Sequence, residues 1–306
     1  MKVGLAGLGR MGSAFARRLL DAGYELAVYN RTPQRADESV ERGATRVATP
    51  FDLWGETGVV ITMLADPQAL EDVTLGERGV LAESVPSGTA AAPLSEATLI
   101  DMSTVSVESS RRVADVAAKR GVAYLRAPVS GNPAVVAAGN LSIMVSGPRE
   151  TFDRVEEVLK AIGPTLFYVG EGEQARVLKL ALNLMVAGTA QLMAEALTLG
   201  EANGLDRATM LEVMGRSAVG SPFVNYKTAP LLEDDYATTF STTLMYKDLE
   251  LVLDVGNGAG VPLPVTATVQ QLLQSCISTG MGDIDFMALL PRLKREAGLD
   301  TGLPVE

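Results

Sequence analysis

The chain has 306 residues, 47% of them hydrophobic and 21% charged, which at roughly 150 residues per domain is room for two domains with real cores. Its formal charge of −11 sets the overall field against nucleic acid and anionic lipid, so neither is expected as a partner. With no histidine and one cysteine, Cys276, an internal disulfide, a Ser–His or Cys–His couple and a zinc site are excluded, and no metal is expected.

Arg10, Arg17 and Arg18 interrupt the first apolar residues, so the N-terminus reads as strand–turn–helix and not as a signal peptide. No run reaches the roughly 18 apolar residues of a membrane span. No membrane contact and a reducing, cytoplasmic setting are expected.

The first half alternates strands and helices. "KVGLAGLG" is a short strand ending in glycines, and "GSAFARRLLDAG" carries apolar residues at helical spacing up to Gly23. "YELAVYN" is a strand, "TPQRADESVERG" a polar helix, and "GVVITMLAD" and "ATLIDMST" are continuous apolar strands. The stretch from Pro86 to Glu96 reads as a loop. "SVESSRRVADVAAKRG" is a helix with Ser106 as N-cap and Glu108 in its first turn. "VAYLRAPVSG", "LSIMVSG" and "TLFYVG" add strands. The alternation predicts a Rossmann-type parallel sheet with right-handed crossovers over residues 1–170.

From Glu173 to Asn203 apolar residues recur at helical spacing, long for a globular helix. Three later segments also read as helix: "DRATMLEVMGRSA", "TTLMYKDLELVLDVGNGAG" and "VTATVQQLLQSCISTG". Residues 171–306 are therefore expected to form an all-helical domain, joined to the sheet domain by the long helix.

Gly7, Gly9 and Gly12 satisfy G-x-G-x-x-G between a strand and a helix. The first glycine allows the tight turn, the second the approach of a pyrophosphate, and the third close helix packing. The loop Gly7, Leu8, Gly9, Arg10, Met11 and Gly12 is thus a dinucleotide seat. The fingerprint expects an acid about 20 residues on, to hold a ribose hydroxyl. Here that position reads Asn30, Arg31 and Thr32. Arg31 suits a 2′-phosphate, with Asn30 and Thr32 as neutral donors, so the expected cofactor is NADP(H). Asp37 and Glu38 fall in the next helix and are poor substitutes.

A hydride-transfer enzyme needs a proton donor at the substrate oxygen. Histidine is absent, and no tyrosine has a lysine four residues on, as the short-chain type requires. Of seven lysines two stand out. Lys179, in "ARVLKLALNLM", shares a helix face with Asn183. It either snorkels to water or has a depressed pKa and acts as general acid or base. Lys247, in "MYKDLELV", reads equally as a helix-surface lysine.

Taken in order, "GLAGLGRMGSAFARRLLDAG", "DMSTVS", "APVSGNPAVVAAGNLSIMVSG", "LKLALN", "KDLELVLDVGNGAGVPLP" and "GDIDF" resemble the signatures of the β-hydroxyacid dehydrogenase family. That family includes 3-hydroxyisobutyrate dehydrogenases, tartronate semialdehyde reductases and glyoxylate/succinic semialdehyde reductases. The resemblance implies a Rossmann domain followed by a helical one, an NADP(H)-dependent oxidoreductase of a small β-hydroxyacid or its semialdehyde, and a homodimer or homotetramer. It implies Lys179 as general acid/base with Asn183 as its partner. Ser130 and Gly131 would bind substrate, Met63, Leu64 and Thr104 the cofactor, and Lys247 would close over nicotinamide and substrate. Three places depart from the family pattern. The substrate loop reads Ser130-Gly131-Asn132-Pro133, where Asn132 brings an amide able to read a polar substrate group. Arg126 stands where an acid is usual. Leu182 replaces the first of two asparagines in the catalytic helix. Two rival readings remain: an imine reductase on the same scaffold, against which Lys179 argues, and a non-catalytic NADPH-binding module.

Overall fold

The computed structural model describes residues 2–55, 57–83 and 97–301. The loop expected from Pro86 to Glu96 lies outside the described residues. The chain divides into two compact units, Met1–Lys179 and Leu180–Glu306.

In the first unit β1 (Lys2–Ala6), α1 (Arg10–Asp21), β2 (Glu25–Tyr29), α2 (Asp37–Glu41), β3 (Thr45–Arg46), β4 (Val59–Thr62) and α3 (Pro67–Leu75) come first. They are followed by β5 (Thr98–Asp101), α4 (Val107–Lys119), β6 (Ala123–Arg126), β7 (Val129–Ser130), α5 (Pro133–Ala137), β8 (Ser142–Ser146), α6 (Arg149–Ile162) and β9 (Thr165–Gly170). The sheet runs β3-β2-β1-β4-β5-β6-β8-β7, with β9 on β8. Strand order reverses at β1 and β4, the place where open α/β sheets bind nucleotides.

The apolar strands bury both faces by simple alternation. Leu5, Ile61, Ile100 and Leu125 point to a core shared with Phe15 and Leu19 of α1 and Val155 and Leu159 of α6. Their neighbours Ala6, Val60, Leu99 and Tyr124 point to the opposite core, with Leu70 of α3 and Val113 and Ala117 of α4. Ser106 caps α4 as its sequence suggests, its hydroxyl accepting from the Ser109 amide at 3.0 Å.

Two readings are corrected here. The sheet is not wholly parallel: β8 runs antiparallel to β6 and β7. A parallel return needs a crossover of a dozen or more residues, usually a long helix. Here β7 continues from β6 and only the five-residue α5 intervenes before β8. The polar segment after β2 is also broken. Pro33–Ala36 is a 3-10 turn and α2 covers only Asp37–Glu41.

The long helix α7 runs Gln174–Ala202, and the division between units falls within it. The second unit continues with α8 (Arg207–Arg216), α9 (Pro222–Leu232), α10 (Thr242–Ala259), α11 (Pro264–Ser278) and α12 (Leu289–Glu296). Its core joins Leu180, Ala187, Ala194 and Leu197 of α7 to Met245 and Leu249 of α10, and to Leu273 and Cys276 of α11. By length and composition α7 could cross a membrane, with a mean hydropathy of 1.5. Lys179, Asn183, Gln191 and Glu195 nonetheless interrupt its apolar residues, so no unbroken run of about 18 occurs in it. The apolar content has another use in the fold, because one face of α7 fills the core of the helical unit.

Candidate active site

The cofactor loop is built by steric exclusion. Gly7 has φ of +95°, and a Cβ there would collide with the Met63 carbonyl oxygen. A Cβ on Gly12 would collide with the carbonyl oxygen of Gly7, so α1 lies directly against the turn. Gly9 differs: a Cβ there would meet nothing within 4 Å. This open side, at the N-terminus of α1, lets backbone amides approach a pyrophosphate. The loop residues therefore fit a dinucleotide.

The tip of β2 holds the loop and leaves one cation exposed. Asn30 Oδ1 accepts from the Leu8 amide at 2.8 Å, and Asn30 Nδ2 donates to the Thr32 carbonyl at 2.9 Å. Asn30 is thus a brace for the glycine loop, a role its type alone did not reveal. Arg31 and Thr32 are exposed, and Arg31 makes no ion pair among the described residues. Asp37 pairs with Arg46 at 2.6 Å, and Glu38 holds Arg17 through two contacts of 2.6 and 2.8 Å. Neither acid substitutes for the missing ribose ligand.

Met63 and Leu64 follow β4, and Ser103 and Thr104 follow β5. Ser103 Oγ accepts from the Leu64 amide at 2.9 Å and donates to Asp101 Oδ1 at 2.6 Å. The same oxygen takes the Thr62 hydroxyl at 2.6 Å. Fully buried Asp101 and Ser103 thus join the two segments beside Gly7. Neither was singled out from sequence, although both lie in "DMSTVS" next to Thr104.

Ser130 ends β7, exposed, and is followed by Gly131 at φ +143°. A side chain at 131 would crowd Leu141 and Val135, so glycine is required at this position. Asn132 has ordinary extended backbone, φ −130°. Its Oδ1 caps α5 by accepting from the Val135 amide at 3.1 Å, with Pro133 at the first helical position. One end of the amide expected to read substrate is therefore engaged in capping. Arg126 pairs with Glu173 at 2.6 Å.

Lys179 and Asn183 stand one turn apart on α7, half-buried and buried respectively. Asn183 Nδ2 donates to Asp248 Oδ2 at 2.5 Å. Asp248 is only 1% exposed, and its Oδ1 lies 2.8 Å from Lys247 Nζ, an ion pair without hydrogen-bond alignment. Asp248 is the link that the sequence reading missed, although it directly follows Lys247. It fixes the Asn183 amide and the Lys247 ammonium in the helical unit. A lysine four residues from a braced asparagine is a group able to exchange a proton with a substrate oxygen.

The comparisons point to a nicotinamide-nucleotide oxidoreductase. The family model described as the NAD binding domain of 6-phosphogluconate dehydrogenase matches residues 2–170. That described as NAD-binding of NADP-dependent 3-hydroxyisobutyrate dehydrogenase matches residues 173–293. The chain is 34% identical to an uncharacterized oxidoreductase, YfjR, of Bacillus subtilis, covering 96% of this chain and all of that one. It is 30% identical to glyoxylate/succinic semialdehyde reductase 1 of Arabidopsis thaliana, covering 96% and 99%. The structure of Psf3 with NADP+ and 2-OPP superposes with a TM-score of 0.85 at 26% identity, over 95% of this chain and 99% of that one. An imine reductase of Streptomyces aurantiacus, also 26% identical and covering 96% and 100%, superposes less well, at 0.60. With its Rossmann sheet, its nicotinamide-nucleotide loop and its helical second unit, the chain belongs to the β-hydroxyacid dehydrogenase family.

Proposed function

We propose that this chain is an NADP(H)-dependent oxidoreductase that interconverts a small β-hydroxyacid and its semialdehyde or keto acid, with Lys179 as general acid/base. The observation that carries the reading is Lys179 on α7, one turn from an Asn183 amide braced by buried Asp248. The bound nicotinamide supplies or accepts the hydride. In reduction Lys179, as ammonium, gives its proton to the substrate oxygen; in oxidation neutral Lys179 takes the hydroxyl proton. Asn183 orients the lysine or the substrate, and Ser130, Gly131 and Asn132 hold the acid. Lys247, paired with Asp248, would supply a cation to the bound cofactor and substrate.

Exposed Arg31 favours NADP(H), since its guanidinium matches a 2′-phosphate and the neighbouring acids are held by other arginines. Leu178, Met185, Leu192 and Leu199 recur every seven residues along α7, and all are exposed. Such an apolar stripe supports a homodimer or homotetramer. A formal charge of −11 opposes nucleic acid and anionic lipid, and a cytoplasmic enzyme without either partner is the setting we infer.

The test is an NADPH-oxidation screen over C2–C5 aldehyde and keto acids, with cyclic imines alongside and NADH in parallel. Turnover of an aldehyde or keto acid with NADPH is expected. Turnover of imines alone moves the chain to the imine reductases, and nucleotide binding with no turnover of either class supports a non-catalytic module.

A further inference from the structure

Five polar side chains converge where α7 leaves the sheet, all at least nine-tenths buried. Arg176 is 1% exposed and Asp101 0%. Arg176 Nη2 donates to Asp101 Oδ2 and, at 3.0 Å, to the Tyr124 hydroxyl. Its Nη1 donates to the Ser103 carbonyl at 2.5 Å. Arg126 lies over the Tyr124 ring at 4.7 Å and grips Glu173, the residue before α7. Charges alternate along the row Asp101, Arg176, Glu173, Arg126, so two buried cations face two buried anions. Ser146 completes the clasp, donating to the Gly172 carbonyl at 2.6 Å and accepting from the Ala175 amide at 3.2 Å.

Burial opposes the Arg176 charge, but Asp101, Tyr124 and Glu173 outweigh it and hold the guanidinium above its ordinary pKa. Burial likewise pushes the Tyr124 phenol up to about 12. Both groups therefore keep one protonation state through the working range.

Simple anchorage of the helix requires less than this. The Ser146 clasp and the Arg126–Glu173 pair already fix the first turn of α7. Arg176 adds a reach to three specific atoms: the Ser103 carbonyl, the Tyr124 hydroxyl and the second oxygen of Asp101. The other oxygen of Asp101 orients Ser103, and Ser103 in turn holds the Leu64 amide. Arg176 also sits one turn before Lys179, on the same helix and in the same unit. A guanidinium fork can hold these partners at fixed angles, which a single ammonium cannot.

We propose that Arg176 is a positioning residue that locks Lys179 to the Leu64 and Ser103–Thr104 cofactor segments, setting nucleotide affinity and the alignment for hydride transfer together. The proposal rests on the cofactor and Lys179 roles given above.

Two variants test it. Arg176→Lys keeps the buried charge and so the fold, but replaces the fork by one nitrogen. The double variant Asp101→Asn/Arg176→Met leaves no orphan charge and keeps an acceptor for Thr62 and Ser103. NADPH affinity is read by nucleotide fluorescence quenching, Tm by calorimetry, and kcat and the deuterium isotope effect with 4-deuterated NADPH. Expected is a loss of NADPH affinity of at least fivefold and a fall in kcat of at least tenfold, with substrate KM within threefold. The isotope effect rises, and Arg176→Lys falls between wild type and the double variant. A lower Tm with unchanged nucleotide affinity and kcat overturns the proposal. If wild type binds NADPH but reduces nothing, the substrate reading fails by itself and nucleotide affinity still decides the role of Arg176. If wild type binds no nucleotide, both fall.

Discussion

At the residue scale the site separates into what local geometry demands and what distant partners decide. The glycines are legible because their requirement is local: Gly7 has positive φ, and Gly12 leaves no room for a Cβ. Arg31 stands out in the sequence because an acid is missing at a place where one is expected. Asp248 and Arg176 were not legible. Their partners are 65 and 75 residues away in the chain, and nothing in their own neighbourhoods announces a hydrogen bond. Asn30 is expected from sequence as a neutral donor to the cofactor, whereas its amide braces Leu8 and Thr32. The Arg31 assignment makes a direct prediction. A charge-assisted contact to phosphate contributes about 1.5–3 kcal/mol, so Arg31→Asp should lower the NADPH-to-NADH ratio of kcat/KM by roughly 10–150-fold. Steady-state kinetics with both nucleotides read this, and an unchanged ratio removes Arg31 from cofactor selection.

At the element scale periodicity carried far. The strands β1, β2, β4, β5 and β6 and the helices α4 and α7 follow from their apolar spacing, whereas β3, two exposed polar residues, does not. The direction of β8 does not, because it depends on how short the return from β6 is and not on any residue of β8. Membrane-like hydropathy in α7 shows the same limit. Composition counts apolar residues, whereas the fold decides that Leu180, Ala187, Ala194 and Leu197 line a protein core. The substrate loop is likewise an element before it is a site. Asn132 caps α5, and replacing an N-cap asparagine by alanine costs about 1 kcal/mol. Asn132→Ala should therefore speed amide hydrogen exchange across Val135–Ala138 by about fivefold. Exchange at the wild-type rate there would show that the cap contributes nothing to holding the loop.

At the scale of the whole molecule, the acid-rich composition says little about the site but something about stability. Glu201, at the end of α7, is held by Arg207 at 2.6 Å and Lys294 at 2.8 Å. Burial pushes its carboxyl up, yet the hydrogen bonds from Arg207 and Lys294 prevail and its pKa lies below the ordinary value. The unfolded chain then binds the proton more tightly, so this stabilisation is present above the unfolded pKa of about 4.3 and is lost as pH falls through the folded value. Glu201→Gln should lower stability at pH 7 and flatten its decline below about pH 5, as read by denaturant titration across pH. A decline as steep as wild type contradicts the assignment. The central claim concerns proton transfer across the whole catalytic cycle, and Lys179→Ala tests it most directly. General acid–base catalysis contributes about 10²–10⁴-fold. The account predicts that kcat for NADPH-dependent reduction of the best aldehyde or keto acid falls by about that factor, while NADPH affinity stays within threefold of wild type. A variant that keeps most of its kcat would contradict the account.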